Sequence, residues 1–270
     1  MSDFVQQQKC ICDFSSSDSW VVLSPIEQSI KRKIEAVGTP LKDWDIQINY
    51  GIKTGFNEAF IISTEKRDEI LSNCKTEDER KRTVELIRPI LRGRDIKRYG
   101  YVDNGLYLIN THNGIKGHIP RIKIEDYPAV KAHLDQYWEK IATRADKGDT
   151  PYNLRNCAYL EDFYKPKLFY ADITQQLNFC FCQDVMFCNN TTYFIATENE
   201  LILKHLNKYL NSPLIDWYYR TLSVQLGEKA VRMFSIYVLE IPIPPIGQSD
   251  IYKSYGLSAS EIAYIENREG

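Results

Sequence analysis

Ile46-Gln47-Ile48-Asn49-Tyr50-Gly51-Ile52-Lys53-Thr54-Gly55-Phe56-Asn57-Glu58-Ala59-Phe60-Ile61-Ile62 is the stretch in which the chain changes its period. From Asp45 the apolar residues alternate, placing Ile46, Ile48 and Tyr50 on one side of an extended segment. Gly51 and Gly55 then bracket a turn, and residues 56–62 are again rich in apolar side chains. The pattern predicts two strands joined by a glycine turn, the start of a β-sheet.

Upstream of that switch the pattern is helical. Ser24 can cap, Pro25 suits the first helical position, and Glu27 completes an S-x-x-E box. Ile26, Ile30, Ile34 and Val37 then recur at helical spacing until Gly38. Residues 1–23 are polar, Ser-rich around Ser15 to Ser19, and end in the apolar run Trp20-Val21-Val22-Leu23.

Downstream, residues 65–86 predict one charged surface helix, and residues 106–110 a strand. Residues 127–144 predict an amphipathic helix with Val130, Leu134, Trp138 and Ile141 on its buried face. Residues 168–174, 178–187 and 191–196 are strand-like in their β-branched and aromatic content. Two helices, 201–210 and 214–222, are interrupted at Asn211-Ser212-Pro213, and residues 235–243 predict a last strand closed by prolines. Strands and helices alternate without βαβ spacing. The expected class is therefore α+β, a mixed and largely antiparallel β-sheet core with packed helices.

Composition bounds the function. The 270 residues carry 43% hydrophobic and 26% charged side chains with 18 Tyr and 11 Phe, enough for a large core. No stretch approaches the roughly 20 apolar residues of a membrane span, and the start of the chain has no secretory pattern, so no membrane partner and a cytoplasmic location are expected. Seven cysteines, Cys10, Cys12, Cys74, Cys157, Cys180, Cys182 and Cys188, are expected as free thiols. The spacing of the 180, 182 and 188 group lacks the C-x2-C knuckles of structural zinc, so no metal is expected. A net charge of −2 means that any nucleic-acid surface must be local.

Catalytic signatures are missing. Adenine methylation needs a polar residue, two prolines and an aromatic that stacks on the extruded base, whereas Ile243-Pro244-Pro245-Ile246 offers only the prolines. Lys53-Thr54 precedes Gly55 instead of following it, so residues 51–55 are no phosphate loop of a nucleotide hydrolase. His112, His118, His133 and His205 lack hydrolase partners in the sequence. Glu79-Arg80-Lys81 with Asp68 is the nearest approach to a metal-dependent nuclease, but it lies in a helical charge run. A protein-interaction scaffold using the aromatics near Trp138 and Trp217-Tyr218-Tyr219 is the other alternative.

What stands out is cationic. Arg88, Arg92, Arg94, Lys97 and Arg98 face a single acid, Asp95, within eleven residues. Guanidinium groups on such a loop can grip phosphates bidentately or read guanine.

The order of these pieces resembles the TaqI-like C-terminal specificity domain, the target recognition domain of type II restriction-modification enzymes and related adenine methyltransferases. The resemblance is carried by residues 48–60, by Ile90-Leu91-Arg92-Gly93-Arg94-Asp95-Ile96-Lys97-Arg98-Tyr99, and by Tyr127-Pro128-Ala129 and Lys165-Pro166-Lys167-Leu168. Asn189-Asn190-Thr191, Leu210-Asn211-Ser212 and Ile241-Pro242-Ile243-Pro244 follow in the same order. The resemblance implies a non-catalytic module that reads double-stranded DNA for a methyltransferase or endonuclease domain or subunit, with no cofactor in this chain. The catalytic half is missing, so the chain is expected to be a separate subunit, a remnant or an excised piece.

It further implies three regions: an N-terminal polar segment and connecting helix (residues 1–45), a target recognition domain (46–245) and a C-terminal tail (246–270). The expected DNA-binding residues are Lys53, Thr54, Arg92, Arg94, Lys97 and Arg98 for the backbone, with Lys116, Arg121, Arg144, Lys147, Arg155, Lys165, Lys167, Lys229 and Arg232. The loops 113–121 and 144–155 are the expected base readers. Gly51, Gly55 and Gly93 are expected to serve positive φ or close backbone approach.

Overall fold

The structure is a computed structural model that describes residues 23–223, 225–227 and 229–267. The Ser-rich segment, Cys10, Cys12 and most of the Trp20 run lie outside the described residues. The chain forms two compact units, one of residues 47–173 and 178–203, the other of residues 1–46, 174–177 and 204–270. This division departs from the expected 1–45, 46–245 and 246–270, because the chain after residue 204 joins the N-terminal helix.

The larger unit holds two four-stranded sheets. The first is antiparallel throughout, in the order β8 (Phe179–Cys182), β7 (Lys167–Ala171), β10 (Thr192–Ala196), β1 (Gln47–Tyr50). Its register aligns Tyr50, Tyr193, Tyr170 and Phe179 across all four strands on one face. The rings contact in sequence, with centroid separations of 4.8, 5.3 and 5.1 Å. Such cross-strand aromatic pairs fix register as well as adding contact energy. On the other face Asn49, Phe194, Phe169 and Cys180 align. The alternation of β1 therefore departs from expectation. Asn49 is its buried residue, while Ile48 and Tyr50 are half-buried. Asn49 is tolerated inside because its amide donates to Asp162 at 2.8 Å.

The second sheet runs β9 (Phe187–Cys188), β3 (Ile87–Leu91), β6 (Leu106–Ile109), β2 (Ile61–Ser63), with β9 and β3 parallel and the other pairs antiparallel. A two-stranded hairpin, β4 (Ile96–Lys97) and β5 (Gly100–Tyr101), forms a separate ladder beside β8. One apolar core serves this unit; at its centre Phe163 stacks on Phe187 at 4.5 Å and tilts against Phe194 at 4.7 Å. The mixed α+β class with antiparallel pairing is as the sequence indicated.

Several local forms differ from expectation. Residues 56–62 begin with a helical turn, Asn57–Phe60, before β2. The single helix expected at 65–86 is two, α1 (Thr64–Ser72) and α2 (Glu77–Leu86), because Thr76 accepts the Glu79 amide at 3.1 Å and caps a new start. Residues 127–144 likewise form α3 (Pro128–Asp135) and α4 (Trp138–Thr143). Val130, Leu134 and Ile141 are buried as expected, but the break at Gln136-Tyr137 rotates Trp138 outward to 45% exposure.

In the smaller unit the helix Pro25–Val37 carries the expected capping box, with Glu27 accepting from the Ser24 amide at 2.7 Å. Residues 235–243 form a helical turn, Ser235–Val238, and only Pro242–Ile243 is strand, paired with Thr39–Pro40. Prolines cannot donate to a ladder, so the pairing is short. The expected tail after residue 246 folds into helices Ile251–Ser254 and Ala259–Glu266. Glu261 explains its docking: it accepts from Ser29 at 2.7 Å, Lys33 at 2.7 Å and the Ser258 amide at 2.7 Å. No helix among the described residues is long and apolar enough to cross a membrane.

Candidate nucleic-acid interface

The two loops marked as base readers, 113–121 and 144–155, are distant in sequence but knit together. The Asn113 amide donates to Asp149 at 3.0 Å and to Asn156 at 2.6 Å, and its oxygen accepts the Asp149 amide at 2.9 Å. Below it the Leu154 amide donates to the Thr111 carbonyl at 2.9 Å, and the Asn153 side chain donates to Ile122 at 2.9 Å. The Asn113 bonds are exposed to solvent, whereas Asn153 is buried and its bonds tie the base of the two loops together.

The first loop, Asp149 of the second and residues 156–158 line an open cleft of about 720 Å³, whose polar wall is Asn113, Lys116, His118, Arg121, Asp149 and Asn156. Lys116 and Gly117 sit at the tip of a tight turn closed by Ile115 and Ile119, and Gly117 supplies the positive φ of 78°. Lys116 is exposed and has no ion-pair partner among the described residues. Arg121 pairs with Asp149 at 2.9 Å. The hydrogen bond from Asn113, helped by Arg121, lowers the Asp149 carboxyl below its usual range, so it remains an acceptor. Cys157 also lines the cleft, but burial pushes its thiol up to about 11, so it is no nucleophile at neutral pH.

The opposite side of the second loop meets the Gly51 to Gly55 turn. Lys53 pairs with Asp146 at 2.9 Å, and Arg155 with the same carboxylate at 3.2 Å. Lys147 is exposed and its ammonium donates to the Ala142 carbonyl at 2.6 Å. Gly55 has φ +72 and a Cβ there would lie 3.1 Å from Arg144 and Asp146, so both expected reasons for glycine apply. Thr54 is 1% exposed and spends its hydroxyl on Asn57 at 2.6 Å. Arg144 is buried, lies 4.2 Å over the Phe60 ring and donates to the Asn153 carbonyl at 2.5 Å. Burial brings Arg144 down to about 10, and it remains charged at neutral pH. Both residues build the turn rather than reach outward.

The basic motif divides in the same way. Arg92 is turned inward, donating to both oxygens of Asp95 at 3.0 and 2.9 Å, while its amide donates at 2.8 Å. Burial would raise the Asp95 carboxyl, but the bonds and charge of Arg92 outweigh it and hold the group low. Arg94 and Lys97 are exposed and Arg98 is half-buried, all around the β4–β5 hairpin. Gly93 lies against Thr191, and a Cβ on Gly51 would sit 1.9 Å from the Asn189 carbonyl oxygen. Two of the resembling segments thus converge on a third, the 189–191 turn, as architecture.

The remaining expected residues are elsewhere. Lys165 is held by Asp162 at 3.3 Å and Glu198 at 2.5 Å. Lys167 is 0% exposed, with its ammonium on the Asp184 carbonyl at 3.1 Å, and cannot reach a ligand. Burial lowers it to about 8. Lys229 is exposed and Arg232 lies 5.0 Å over Phe234, both in the smaller unit. Asn113, Asp146, Asp149 and Asn156 were missed as individual residues, because only the fold brings these polar groups against the cations.

The alternative catalytic residues do not assemble. Glu79 accepts the Lys75 amide with one oxygen and the Ala129 amide with the other, both at 2.9 Å, and is 4% exposed. It joins α1, α2 and α3 instead of pointing at solvent beside Asp68. Cys74, Cys157, Cys180, Cys182 and Cys188 are free thiols, and burial raises Cys180 to about 12.

Comparison with known proteins agrees with this architecture. The type IIL restriction-modification enzyme MmeI, solved in complex with DNA, is similar over 86% of this chain and 29% of its own, at 16% identity and a TM-score of 0.54. The type IIG restriction endonuclease BpuSI is similar over 89% of this chain and 27% of its own, at 15% identity and a TM-score of 0.54. The chain thus spans less than a third of the length of either enzyme. No curated protein matches it in sequence. The profile of the TaqI-like C-terminal specificity domain matches residues 88–243, more than half of the chain, and the chain belongs to that family.

Proposed function

We propose that this chain reads the sequence of double-stranded DNA on behalf of a restriction-modification enzyme, with catalysis carried by a methyltransferase or endonuclease domain or subunit. The observation that carries it is the cleft lined by residues 113–121, Asp149 and Asn156, where Asn113 holds Asp149 and Asn156, Arg121 pairs with Asp149, and Lys116 stands exposed on the same rim. Those groups supply donors and an acceptor of the kind that read base edges. Lys53, Lys147 and Arg155 on the adjoining face supply charge for phosphates; exposed ion pairs such as those of Lys53 and Arg155 with Asp146 are weak and exchange partners readily. MmeI, of similar fold, was solved in complex with DNA.

No cofactor is needed for reading bases, and S-adenosylmethionine would belong to the catalytic part. A metal-dependent nuclease reading is not favoured, since both oxygens of Glu79 are already taken by backbone amides.

The test is duplex binding followed by fluorescence anisotropy at rising salt. We expect affinity in the range of about 10⁻⁴ to 10⁻⁶ M for arbitrary duplex at physiological salt, tightening as salt falls. With the catalytic partner present, selection from a duplex library should return a defined site. Absence of binding at low salt, or equal retention of all sequences by the complex, refutes the assignment.

A further inference from the structure

We propose that Tyr99 is an anchor for the DNA backbone, its ring seated against a deoxyribose between phosphates taken by Arg94 and Lys97. The inference rests on the DNA-reading function above and adds to it a contact outside the cleft.

The β4–β5 hairpin pairs Lys97 with Gly100, leaving Arg98 and Tyr99 as its two-residue tip. Tyr99 has φ 64, the one positive φ outside glycine among the described residues. A bulky aromatic residue is an outlier in the left-handed region, where Cβ crowds the following carbonyl. Glycine would close this turn without strain. The chain has a glycine one residue later, at Gly100, where φ is not positive and a Cβ would meet nothing within 4 Å.

Among the described residues no contact of the Tyr99 side chain offsets the strain. Tyr99 is 57% exposed, and only its amide is engaged, donating to the Phe179 carbonyl at 3.0 Å. Its ring and hydroxyl have no partner among the described residues. Meanwhile the hairpin base is rigid: the Asp95 carboxylate holds Arg92 and Asn104, and the Asp95 carbonyl accepts the Val102 amide at 2.9 Å. A side chain that strains a firmly held turn and points away from the fold is placed for something outside it.

The neighbours define that partner. Arg94 is exposed with no ion pair among the described residues, and Lys97 is exposed with its ammonium on the Arg94 carbonyl at 3.1 Å. Two exposed cations just ahead of the tip in the same hairpin as an exposed amphipathic ring are the groups that phosphates and an adjoining sugar face would take. Contacts of this kind fix position and carry no sequence information.

The experiment measures thermal melting and anisotropy with an arbitrary duplex at low salt on the whole chain. Tyr99→Gly should melt a few degrees higher, since the strain is removed, yet bind about tenfold more weakly. Tyr99→Phe should keep the affinity, and the salt slope of Tyr99→Gly should match the parent. Replacing both Arg94 and Lys97 by Ala should reduce that slope by about two. Undiminished duplex binding by Tyr99→Gly overturns the proposal, as does a lower melting temperature, which would make the ring structural. Loss of the catalytic partner with DNA binding retained would reassign the tip to protein docking and also overturn it. If the parent chain itself fails to bind duplex, the DNA-reading function falls first.

Discussion

The Gly93 amide donates to the Thr191 hydroxyl at 2.8 Å, and a Cβ on Gly93 would lie 2.5 Å from the Thr191 carbonyl oxygen. Two segments 98 residues apart in sequence therefore touch backbone to backbone. Gly93→Ala should destabilise the chain by about 2–4 kcal/mol, the range of severe overpacking against atoms that cannot swing aside. Gly100→Ala, facing open space, should be within about 0.5 kcal/mol of the parent. Denaturant unfolding of both variants checks the contrast.

Asp95 receives the Arg92 amide and guanidinium and the Asn104 amide while being only 3% exposed. Asp95→Ala removes the anion and leaves these donors without it, which should cost about 3 kcal/mol. Arg92→Ala should be nearly as damaging through the buried carboxylate left behind. Charge reversal at exposed Arg94 should leave the melting temperature almost unchanged.

Glu261 gives a pH dependence. Burial works to raise its carboxyl, but the bonds from Lys33, Ser258 and Ser29 outweigh it and bring it from 4.5 to about 2. A folded value below the unfolded one contributes stability that is complete above about pH 4.5 and is lost as pH falls toward 2. Glu261→Gln should therefore melt lower than the parent at pH 7 and converge with it near pH 2. A constant difference across that window would count against the assignment.

Lys167 acts in the opposite sense. Burial lowers its ammonium from 10.5 to about 8, so below pH 8 the fold carries the full cost of a buried charge. That cost is relieved as pH rises from 8 toward 10.5, and stability from this group increases. Lys167→Met, which keeps the volume without the charge, should stabilise the chain by about 1–3 kcal/mol at pH 7. Melting at pH 7 and pH 10 should show the gain shrinking at the higher value.

Asn113 satisfies both loops with one carboxamide, and Gly148 fits beside it because a Cβ there would lie 2.5 Å from the Asn113 oxygen. Asn113→Ala should leave phosphate-driven affinity within about twofold of the parent, because the exposed cations remain. Sequence selection with the catalytic partner should weaken by at least tenfold, as loosened loops lose their geometry. Library selection and arbitrary-duplex titration separate the two effects.

Where the sequence was legible, local chemistry sufficed. Ser24, Pro25 and Glu27 state a helix start in four residues, and the structure has that start. The same kind of signal at Thr76-Glu77-Asp78-Glu79 was obscured by the surrounding charge run, so two helices looked like one. Lys167 shows the converse. Its composition suggested a DNA contact, but its register beside Cys182 places it inside the sheet. Charge counted along the chain says nothing of which end of a pleat faces water.

The sequence by itself determined the α+β class, the helix start at Ser24 to Glu27, the glycine turns and the family, because these depend on backbone propensity and on spacing within a few residues. Only the tertiary structure decided which cations are exposed, which meet Asp146, and that Asp149 and Asn156 line one cleft with residues 113–121. The Arg92–Asp95 pair is local, but the burial of Asp95, the Lys53–Asp146 pair and the meeting of Asn113 with Asp149 depend on segments distant in sequence, and those contacts exist only after the chain has closed on itself.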